Sequence, residues 1–234
     1  MQKEKIDKFG ILLPKGSYTY LKGHNEYNPH IYVSYGKYQA KLTVSSRALL
    51  VKDELPEISV DNIGFYPSFI EQSKNIKINT DTILTAPLFW IDVCTDVLNT
   101  TGLQIQDYIS ILREKAYQKT LKNEIIVGFD KDKGFECSLT IKSSCKTVKD
   151  SLAIYDKINE IKANKYHNPD YYNNFSADFW HKNHNLIRFE RRLQSANDIK
   201  KAYSLEHLST VTLKDIFACN NNVVADKIME TLVN

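Results

Sequence analysis

Three short apolar segments that are interrupted by ionisable side chains constrain this chain most strongly. Residues 151–160 read SLAIYDKINE, residues 186–193 read LIRFERRL and residues 89–96 read FWIDVCTD. A tyrosine, a lysine and several acids therefore stand among side chains that fill a core and normally exclude charge. Segments of this length and composition predict β-strands, and their ionisable groups predict chemistry on one face of a sheet.

The rest of the chain alternates predicted strands with predicted helices. Strands are expected at residues 31–35, 38–44, 76–80, 88–93, 123–127, 135–141, 150–155 and 186–193, with a turn at 130–134. Helices are expected at residues 101–119, from the end of the 150–155 strand to about 165, at 195–203 and at 212–232, and a loop at 166–174. Thr212 with Asp215 predicts a capping-box variant before the last helix. We predict an α+β protein with helices flanking a mainly antiparallel sheet.

The order of strand, acid and helix occurs twice, at residues 88–119 and at residues 186–203. This order hints at an internal pseudo-repeat that packs on a shared antiparallel sheet. No linker or low-complexity tract divides the chain. The turn-rich residues 1–85 and the remaining residues 86–234 are therefore expected to form one compact unit.

The composition is that of a soluble globular protein with a weak average charge. Hydrophobic residues make up 42% and charged residues 25% of the chain, and the net charge is +3. A strong duplex binder usually has a more lopsided charge, so any contact with nucleic acid must come from local basic clusters. The clusters at residues 188–201 and 157–182 each fit a solvated face equally well. The 14 tyrosines suit stacking on unpaired bases, or simply reflect strands that use tyrosine.

The cysteines and the N-terminus indicate a reducing compartment. The four cysteines have no CxxC spacing, which argues against a zinc-knuckle or thioredoxin-like motif, and three of them are expected to be buried free thiols. The N-terminus lacks the apolar core of a signal peptide, and no run approaches membrane-spanning length, so a cytoplasmic location is expected. The absence of P-loop, dinucleotide-binding and GxSxG sequences argues against ATP hydrolysis and the commonest hydrolase elbow.

Tyr155 and Lys157 are expected on one face of a strand, because side chains alternate with a period of two. An ammonium group near a phenol lowers the phenol pKa and neutralises charge on a phosphate. Glu160 reaches the same face if the strand gives way to a helix there. The alternative is that Tyr155 packs with its hydroxyl at the surface, while Lys157 and Glu160 form a weak exposed ion pair.

Asp92 and Glu190 are acids inside apolar strands, where an unpaired carboxylate is costly. Two acids that face the same way on adjacent strands form the oxygen-rich site that Mg²⁺ or Mn²⁺ prefers. Asp96 is then either a third ligand or the cap of the next segment. The alternative is that a neighbouring arginine, such as Arg188 or Arg191, neutralises each acid.

The histidines give a weaker signal. His181 with His184, and His24 with His30, have spacings that could bind a metal ion, but neither pair is accompanied by the other ligands of a zinc site. We expect surface histidines.

Three of these segments resemble motifs of the replication initiation proteins of rolling-circle replicons. They are WIDV at residues 90–93, LAIYDKINE at residues 152–160 and LIRFERRL at residues 186–193. The likeness is to the filamentous-phage replication initiators and to the plasmid Rep proteins of the staphylococcal type, over about residues 86 to 216. It implies a site-specific endonuclease that nicks and rejoins one DNA strand at an origin.

The resemblance also implies a role for each matching residue. In that family the tyrosine of a Tyr-x-Lys-x-x-Glu pattern attacks DNA and becomes linked to the 5′-phosphate. Carried over, Tyr155 is the nucleophile, Lys157 its electrostatic helper and Glu160 a base or a metal ligand. The implied Mg²⁺ or Mn²⁺ ligands are Asp92, Glu190 and Asp96, and the implied DNA-binding residues are Arg188, Arg191 and Arg192. Residues 1–85 would add a DNA-binding face to the catalytic core at residues 86–234.

The sequence lacks the paired-histidine metal motif of many rolling-circle nucleases, which favours the branch of that resemblance that binds metal through carboxylates, and it has no second tyrosine at a fixed offset. A mechanism with one tyrosine would need a partner subunit or an activated water to complete the cycle. The expected partners are an origin hairpin or single strand, a host helicase and a second copy of the chain, and no membrane. Two other functions stay open: a non-enzymatic DNA-binding protein of a mobile element that keeps the fold, and a protein-interaction domain of the same origin.

Overall fold

The computed structural model describes residues 4–22, 26, 28–119, 123–130 and 135–233. The strands in these ranges are β1 (Lys5–Pro14), β2 (Thr19–Tyr20), β3 (Ile31–Tyr35), β4 (Gln39–Ser45), β5 (Ile76–Lys77), β6 (Leu88–Leu98), β7 (Asn123–Asp130), β8 (Phe135–Ser143), β9 (Asp150–Asp156) and β10 (Leu186–Leu193). The α-helices are α1 (Tyr66–Lys74), α2 (Thr80–Thr85), α3 (Ile105–Lys119), α4 (Lys157–Ala163), α5 (Pro169–Asn173), α6 (Ala177–Lys182), α7 (Ala196–Ala202), α8 (Leu213–Ala218) and α9 (Val223–Ile228). Short 3₁₀ turns lie at Ser46–Ala48 and Ile63–Phe65, and a π-helical turn at Met229–Val233.

Eight strands form one antiparallel sheet in the order β3-β4-β1-β6-β10-β9-β8-β7, while β2 and β5 pair separately. The predicted α+β class, with a mainly antiparallel sheet and flanking helices, is confirmed. Strands from residues 1–85 and from the rest of the chain share this sheet. Its two halves are connected differently, because β7 to β10 form a meander whereas β1 lies between β4 and β6. The strand order therefore does not repeat from one half to the other.

The two faces of the sheet differ in polarity, because side chains alternate along each strand. In β10, Ile187, Phe189 and Leu193 join the main apolar core. Helices α3, α7 and α9 pack against this face. Arg188 and Glu190 point to the opposite face, which we call the polar face. Helices α4, α5 and α6 close one end of the polar face with a second apolar cluster.

Most of the predicted elements are present, and three differences have local causes. Strand β1 was not predicted, because an extra residue at Asp7 interrupts the alternation of its apolar side chains. The predicted loop at residues 166–174 contains α5, which begins at Pro169, a residue suited to the first helical position. The predicted helix at 212–232 is broken after Ala218, before three successive asparagines. Residues 131–134 of the predicted turn lie outside the described residues.

The capping box of α8 is confirmed, since Thr212 and Asp215 exchange hydrogen bonds between side chain and backbone. The four cysteines, all within the described residues, form no disulfide. The expectation of three buried thiols is wrong, because only Cys94 is buried, whereas Cys137 and Cys219 are partly exposed and Cys145 is exposed. Among the described residues, no helix combines the length and the apolar character that crossing a membrane requires.

Candidate active site

The polar face carries an open groove of about 1390 Å³. Its lining includes Asp92 from β6, Tyr155 from β9 and Glu190 from β10, together with Glu160 from α4. These residues are distant in the sequence, and the antiparallel pairing of β6, β10 and β9 brings them together. The groove is therefore the place where the ionisable residues singled out from the sequence converge.

Tyr155 and Glu190 are joined directly at the floor of the groove. The Tyr155 hydroxyl donates a hydrogen bond of 2.6 Å to Oε2 of Glu190. The other carboxylate oxygen, Oε1, accepts a hydrogen bond of 2.5 Å from Nε of Arg192. The phenol of Tyr155, the carboxylate of Glu190 and the partly exposed guanidinium group of Arg192 thus form a chain of hydrogen bonds along the groove. The phenolic proton therefore has an acceptor, Glu190, within hydrogen-bond distance.

The pKa of Tyr155 is raised well above its usual value, by burial first and then by the negative charge of Glu190. Arg188 opposes this shift without outweighing it. The expected lowering of the pKa of Tyr155 by Lys157 is therefore wrong. The phenol is protonated at neutral pH, and its nucleophilic form requires a proton acceptor such as Glu190.

Lys157 lies on a helix and not on the strand of Tyr155. β9 ends at Asp156, whose side chain accepts the Asn159 N–H and so caps α4. Lys157 follows in the first turn of α4, is fully buried and donates a hydrogen bond of 2.9 Å to Glu160. Its ammonium group is 5.9 Å from the centroid of the Tyr155 ring. The predicted shared strand face is wrong, and so is the alternative of an exposed Lys157–Glu160 pair.

Arg47 is a site residue that the sequence did not reveal. Its Nη2 lies 2.8 and 2.9 Å from the two carboxylate oxygens of Glu160, and its guanidinium group lies 5.0 Å from the centroid of the Tyr171 ring. Burial alone would raise the pKa of Glu160, but the charges of Lys157 and Arg47 outweigh it and lower that pKa. Glu160 is therefore an ionised link between two cations beside the groove.

Asp92 is a buried carboxylate that lies close to Glu190. It is 3% exposed, and its Oδ1 accepts a hydrogen bond of 2.6 Å from the indole N–H of Trp90. Burial, followed by repulsion from Glu190, raises the pKa of Asp92 to about 7. Two carboxylates that repel each other in this way are a chemical environment in which a bound cation would be favourable.

Asp96 and Arg188 form a buried structural pair. Arg188 is 1% exposed, and its Nε and Nη2 donate to the two oxygens of Asp96 at 2.6 and 2.8 Å. Its Nη1 donates to Asp7 at 3.1 Å, and Ser46 also donates to Asp7. Burial would raise the pKa of Asp7, but Arg188 and then Lys157 outweigh it and lower that pKa. The alternative in which an arginine neutralises the acid therefore holds for Asp96. Asp96 is not placed to bind a metal ion and Arg188 is not placed to contact DNA, because the two side chains are buried and bind each other.

Arg191 points away from the groove, to the face covered by helices. Its guanidinium group donates to Asp150 at 3.0 and 2.8 Å and to the carbonyl oxygen of Val223 in α9 at 2.7 Å. Arg191 therefore anchors α9 to the sheet, and the expected contact with DNA has no geometric basis. Arg192 differs, because it lines the groove and its side chain is 37% exposed.

A divalent cation would find two suitable protein ligands in this groove. Within the described part of the chain, no group of three or more Asp, Glu, His or Cys side chains is arranged to hold a metal ion. Mg²⁺ is, however, commonly held by one or two carboxylates together with substrate phosphates. Asp92 and Glu190 supply the oxygen donors of such a smaller set, although the two oxygens of Glu190 also accept hydrogen bonds from Tyr155 and Arg192 and would be shared with the cation. Both oxygens of Asp96 are bound to the buried guanidinium group of Arg188.

Two histidines, His30 and His167, line the groove that contains these carboxylates. His181 and His184 are exposed, as expected, with ring centroids 6.4 Å apart. His24 is outside the described residues. His30 lines the groove, and burial followed by the charge of Arg47 lowers its pKa to about 4.

We expect His30 to make the fold sensitive to mild acid. Between pH 6.5 and about 4 the unfolded chain binds a proton at this position that the folded chain does not, so stability falls as the pH falls. One pKa unit corresponds to about 1.4 kcal/mol, and allowing for partial exposure we expect a loss of about 1–2 kcal/mol. When the pH is lowered from 7 to 4.5, the free energy of unfolding measured in urea should change less favourably in the parent than in His30→Gln by this amount, because Asp92, whose pKa of about 7 makes acid stabilising, acts in both proteins. The exposed His184→Gln is the control and should behave like the parent, and equal changes in all three proteins would contradict the assignment.

No model of a known protein family matches this sequence, and no curated protein matches it. Three chains of solved structures do match. One is described as "Structure of Rolling Circle Replication Initiator Protein from Geobacillus stearothermophilus", with a TM-score of 0.42 and 11% sequence identity, over 98% of this chain and 85% of that chain. The chain is thus distantly similar to that initiator in structure, and a likeness at this level carries no conclusion about the groove.

Proposed function

We propose that this protein nicks and rejoins one DNA strand through a covalent bond to Tyr155, as a rolling-circle replication initiator. The observation that carries the proposal is the 2.6 Å hydrogen bond from the Tyr155 hydroxyl to Glu190 on the floor of an open groove. A nucleophile within hydrogen-bond reach of its base is the geometry that covalent catalysis requires. The motif resemblance at residues 152–160 and 186–193 supports the same assignment.

In the proposed reaction the phenolic oxygen of Tyr155 bonds to a phosphorus atom of DNA. The phenolic proton passes to Glu190, the bond from phosphorus to the 3′ oxygen breaks, and that oxygen takes a proton from solvent. The products are a 5′-phosphotyrosyl bond and a free 3′-hydroxyl group. Reversal by a 3′-hydroxyl rejoins the strand, and the energy of the phosphodiester is conserved, so no ATP is needed.

The charged residues around Tyr155 have separate roles in this proposal. Arg192 orients Glu190 through Nε and presents the rest of its guanidinium group to a phosphate. Arg47 and Lys157 act through Glu160, which holds the start of α4 beside the Tyr155 ring, so they are positioning residues. Mg²⁺ or Mn²⁺, when held by Asp92 and Glu190, would neutralise charge that develops on the phosphate.

The substrate in this proposal is an unpaired strand or an extruded hairpin at an origin. The net charge of +3 supplies only a weak field for long duplex DNA, while unpaired strands bind through local cations and ring stacking. With one tyrosine at the site, a second copy of the chain or an activated water would complete termination. A host helicase would supply further single strand.

The test is to incubate the protein with a library of labelled DNA hairpins of randomised sequence, with Mg²⁺ or Mn²⁺. We expect a labelled protein–DNA adduct that survives denaturing electrophoresis and is lost on digestion by protease. Peptide mass spectrometry should place the nucleotide on the peptide that contains Tyr155. Tyr166 is a useful internal comparison, because it is 83% exposed and follows closely in the sequence.

An adduct on Tyr166, or on no tyrosine, would contradict the assignment of Tyr155. If DNA binds but is cleaved neither with Mg²⁺ nor with Mn²⁺, the protein is instead a non-enzymatic DNA-binding module. If no DNA binds, the remaining candidate is a protein-interaction domain.

A further inference from the structure

Aromatic rings continue the groove away from Tyr155, on strands β6 and β3. We call the surface formed by Phe89, Trp90 and Tyr32 the aromatic platform. Trp90 pairs with Gly10 of β1, Gly10 with Thr43 of β4, and Thr43 with Tyr32, so one row of residues crosses four strands. Neighbouring strands are about 4.8 Å apart, so this row is roughly 14 Å long.

A β-bulge turns Phe89 towards the same face as Trp90. The pairing of β1 with β6 shifts between Gly10 and Ile11, which leaves Phe89 as an extra residue on β6. Gly10 makes room for the ring, because a Cβ atom built there would lie 2.8 Å from Cζ of Phe89 and 3.1 Å from Cβ of Trp90. Two consecutive aromatic side chains therefore lie on the same side of the sheet, which a regular strand does not allow.

Two lysines lie over the faces of these rings. Nζ of Lys8 is 5.4 Å from the centroid of the Trp90 ring, and Nζ of Lys41 is 5.4 Å from the centroid of the Phe89 ring. Phe89 and Trp90 are half-buried, while Tyr32 is 65% exposed. A flexible cationic side chain thus lies over the Trp90 ring and another over the Phe89 ring, and each can move aside and remain nearby.

The platform also connects to the carboxylates of the candidate active site. The indole N–H of Trp90 is bonded to Asp92, and Lys8 is the register partner of Asp92 on β1. A ligand that stacks on Trp90 would therefore lie next to Asp92 and Glu190. The chemistry required of that ligand is flat rings that alternate with negative charges.

We propose that the aromatic platform binds unpaired nucleotides of the strand that Tyr155 attacks, with bases stacked on Phe89, Trp90 and Tyr32 and phosphates paired with Lys8 and Lys41. This inference rests on the proposed function for the identity of the strand. A stacked base takes the position of each lysine over its ring, and the displaced ammonium group pairs with the adjacent phosphate. Duplex DNA cannot bind in this way, because its bases are stacked inside the helix.

Trp90 provides a direct reporter, because the chain has only 2 tryptophans. In full-length protein carrying Trp180→Phe and Tyr155→Phe, Trp90 is the sole tryptophan and no strand is cut at Tyr155. We expect oligo(dT) to quench its fluorescence saturably. A duplex of equal length, inorganic polyphosphate and polyglutamate should not.

Substitutions test the stacking and the charge separately. Phe89→Leu and Gly10→Ala should each weaken oligo(dT) binding about 5- to 100-fold, which is the effect of losing one stacked base. Gly64→Ala is the matched control, because a Cβ at Gly64 meets nothing within 4 Å. Replacing both Lys8 and Lys41 by Gln should make the slope of log affinity against log salt shallower by about 1.4.

The outcomes separate this inference from the proposed function. Quenching by oligo(dT) in the Trp180→Phe, Tyr155→Phe protein, combined with no adduct in the parent protein, supports the platform and contradicts the nuclease. Adduct formation at Tyr155 with unchanged binding in Phe89→Leu and no quenching of Trp90 overturns the platform alone. Equal quenching by duplex, polyphosphate or polyglutamate also overturns it, because the surface would then recognise charge without bases.

Discussion

Tyr155→Phe is expected to abolish formation of the protein–DNA adduct and to leave binding of single-stranded DNA unchanged. The substitution removes only the oxygen that attacks phosphorus, and the ring keeps its packing beside Lys157. Removal of a catalytic nucleophile typically lowers rates by about 10⁴-fold or more, which is about 5 kcal/mol in the activation barrier. The measurement is the yield of adduct and of nicked strand from the hairpin that the parent protein cleaves best.

Two comparisons make this prediction specific. Tyr166→Phe removes an exposed phenol from the same region of the chain and should retain the parent rate. Unfolding by urea should show that Tyr155→Phe stays folded, with a change limited to the lost hydrogen bond to Glu190, about 1–2 kcal/mol. Nicking by Tyr155→Phe at a rate within tenfold of the parent would rule out Tyr155 as the nucleophile.

Arg188→Leu is expected to destabilise the fold more than any other single change considered for this protein. It leaves Asp96 and Asp7 buried without the cation that now bonds to both. Breaking a buried ion pair by removing one partner costs about 3–5 kcal/mol, because the remaining charge is uncompensated. Since domains are stable by only about 5–15 kcal/mol, the variant should unfold at far lower urea concentration.

The same network supplies its own controls. Adding Asp96→Asn and Asp7→Asn to Arg188→Leu should restore part of the stability, because the cost arises from unpaired carboxylates. Arg188→Lys keeps the charge and loses the two-pronged geometry, so it should lie between the parent and Arg188→Leu. An Arg188→Leu protein within about 1 kcal/mol of the parent would show that this network does not hold the sheet together.

The sequence predicted the strands that carry the site better than it predicted their neighbours. β6, β9 and β10 could be recognised because their apolar side chains alternate or run continuously. An acid inside such an apolar strand is unusual and therefore indicates a candidate site residue. Asp7 and Arg47 had no such signal, since Asp7 stands in the charged run KEKIDK and Arg47 in a turn-rich region, and neither interrupts an apolar segment. Their importance depends on contacts with Arg188 and Glu160 that join residues 181 and 113 positions apart.

The roles of the arginines could not be read from the sequence, because they depend on which face each side chain occupies. In LIRFERRL, Arg191 and Arg192 are adjacent, yet one anchors α9 and the other lines the groove. The partner of Arg188 is set by the pairing of β10 with β6, where Arg188 lies opposite Asp96. The change from strand to helix after residue 155 was predicted, but the N-cap at Asp156, which places Lys157 in the first turn of α4, was not.

The extra residue at Asp7 has a consequence for how β1 can vary over evolutionary time. It allows Asp7 to reach Arg188 while the next residue, Lys8, lies opposite Asp92. Loss of Asp7 would leave a regular strand with the same inward and outward positions, because Ile6 and Lys8 already pair with the consecutive residues Val93 and Asp92, but it would remove a carboxylate that Arg188 binds. Related sequences that lack this extra residue are therefore expected to differ also at the position of Arg188, which an alignment of such sequences would test.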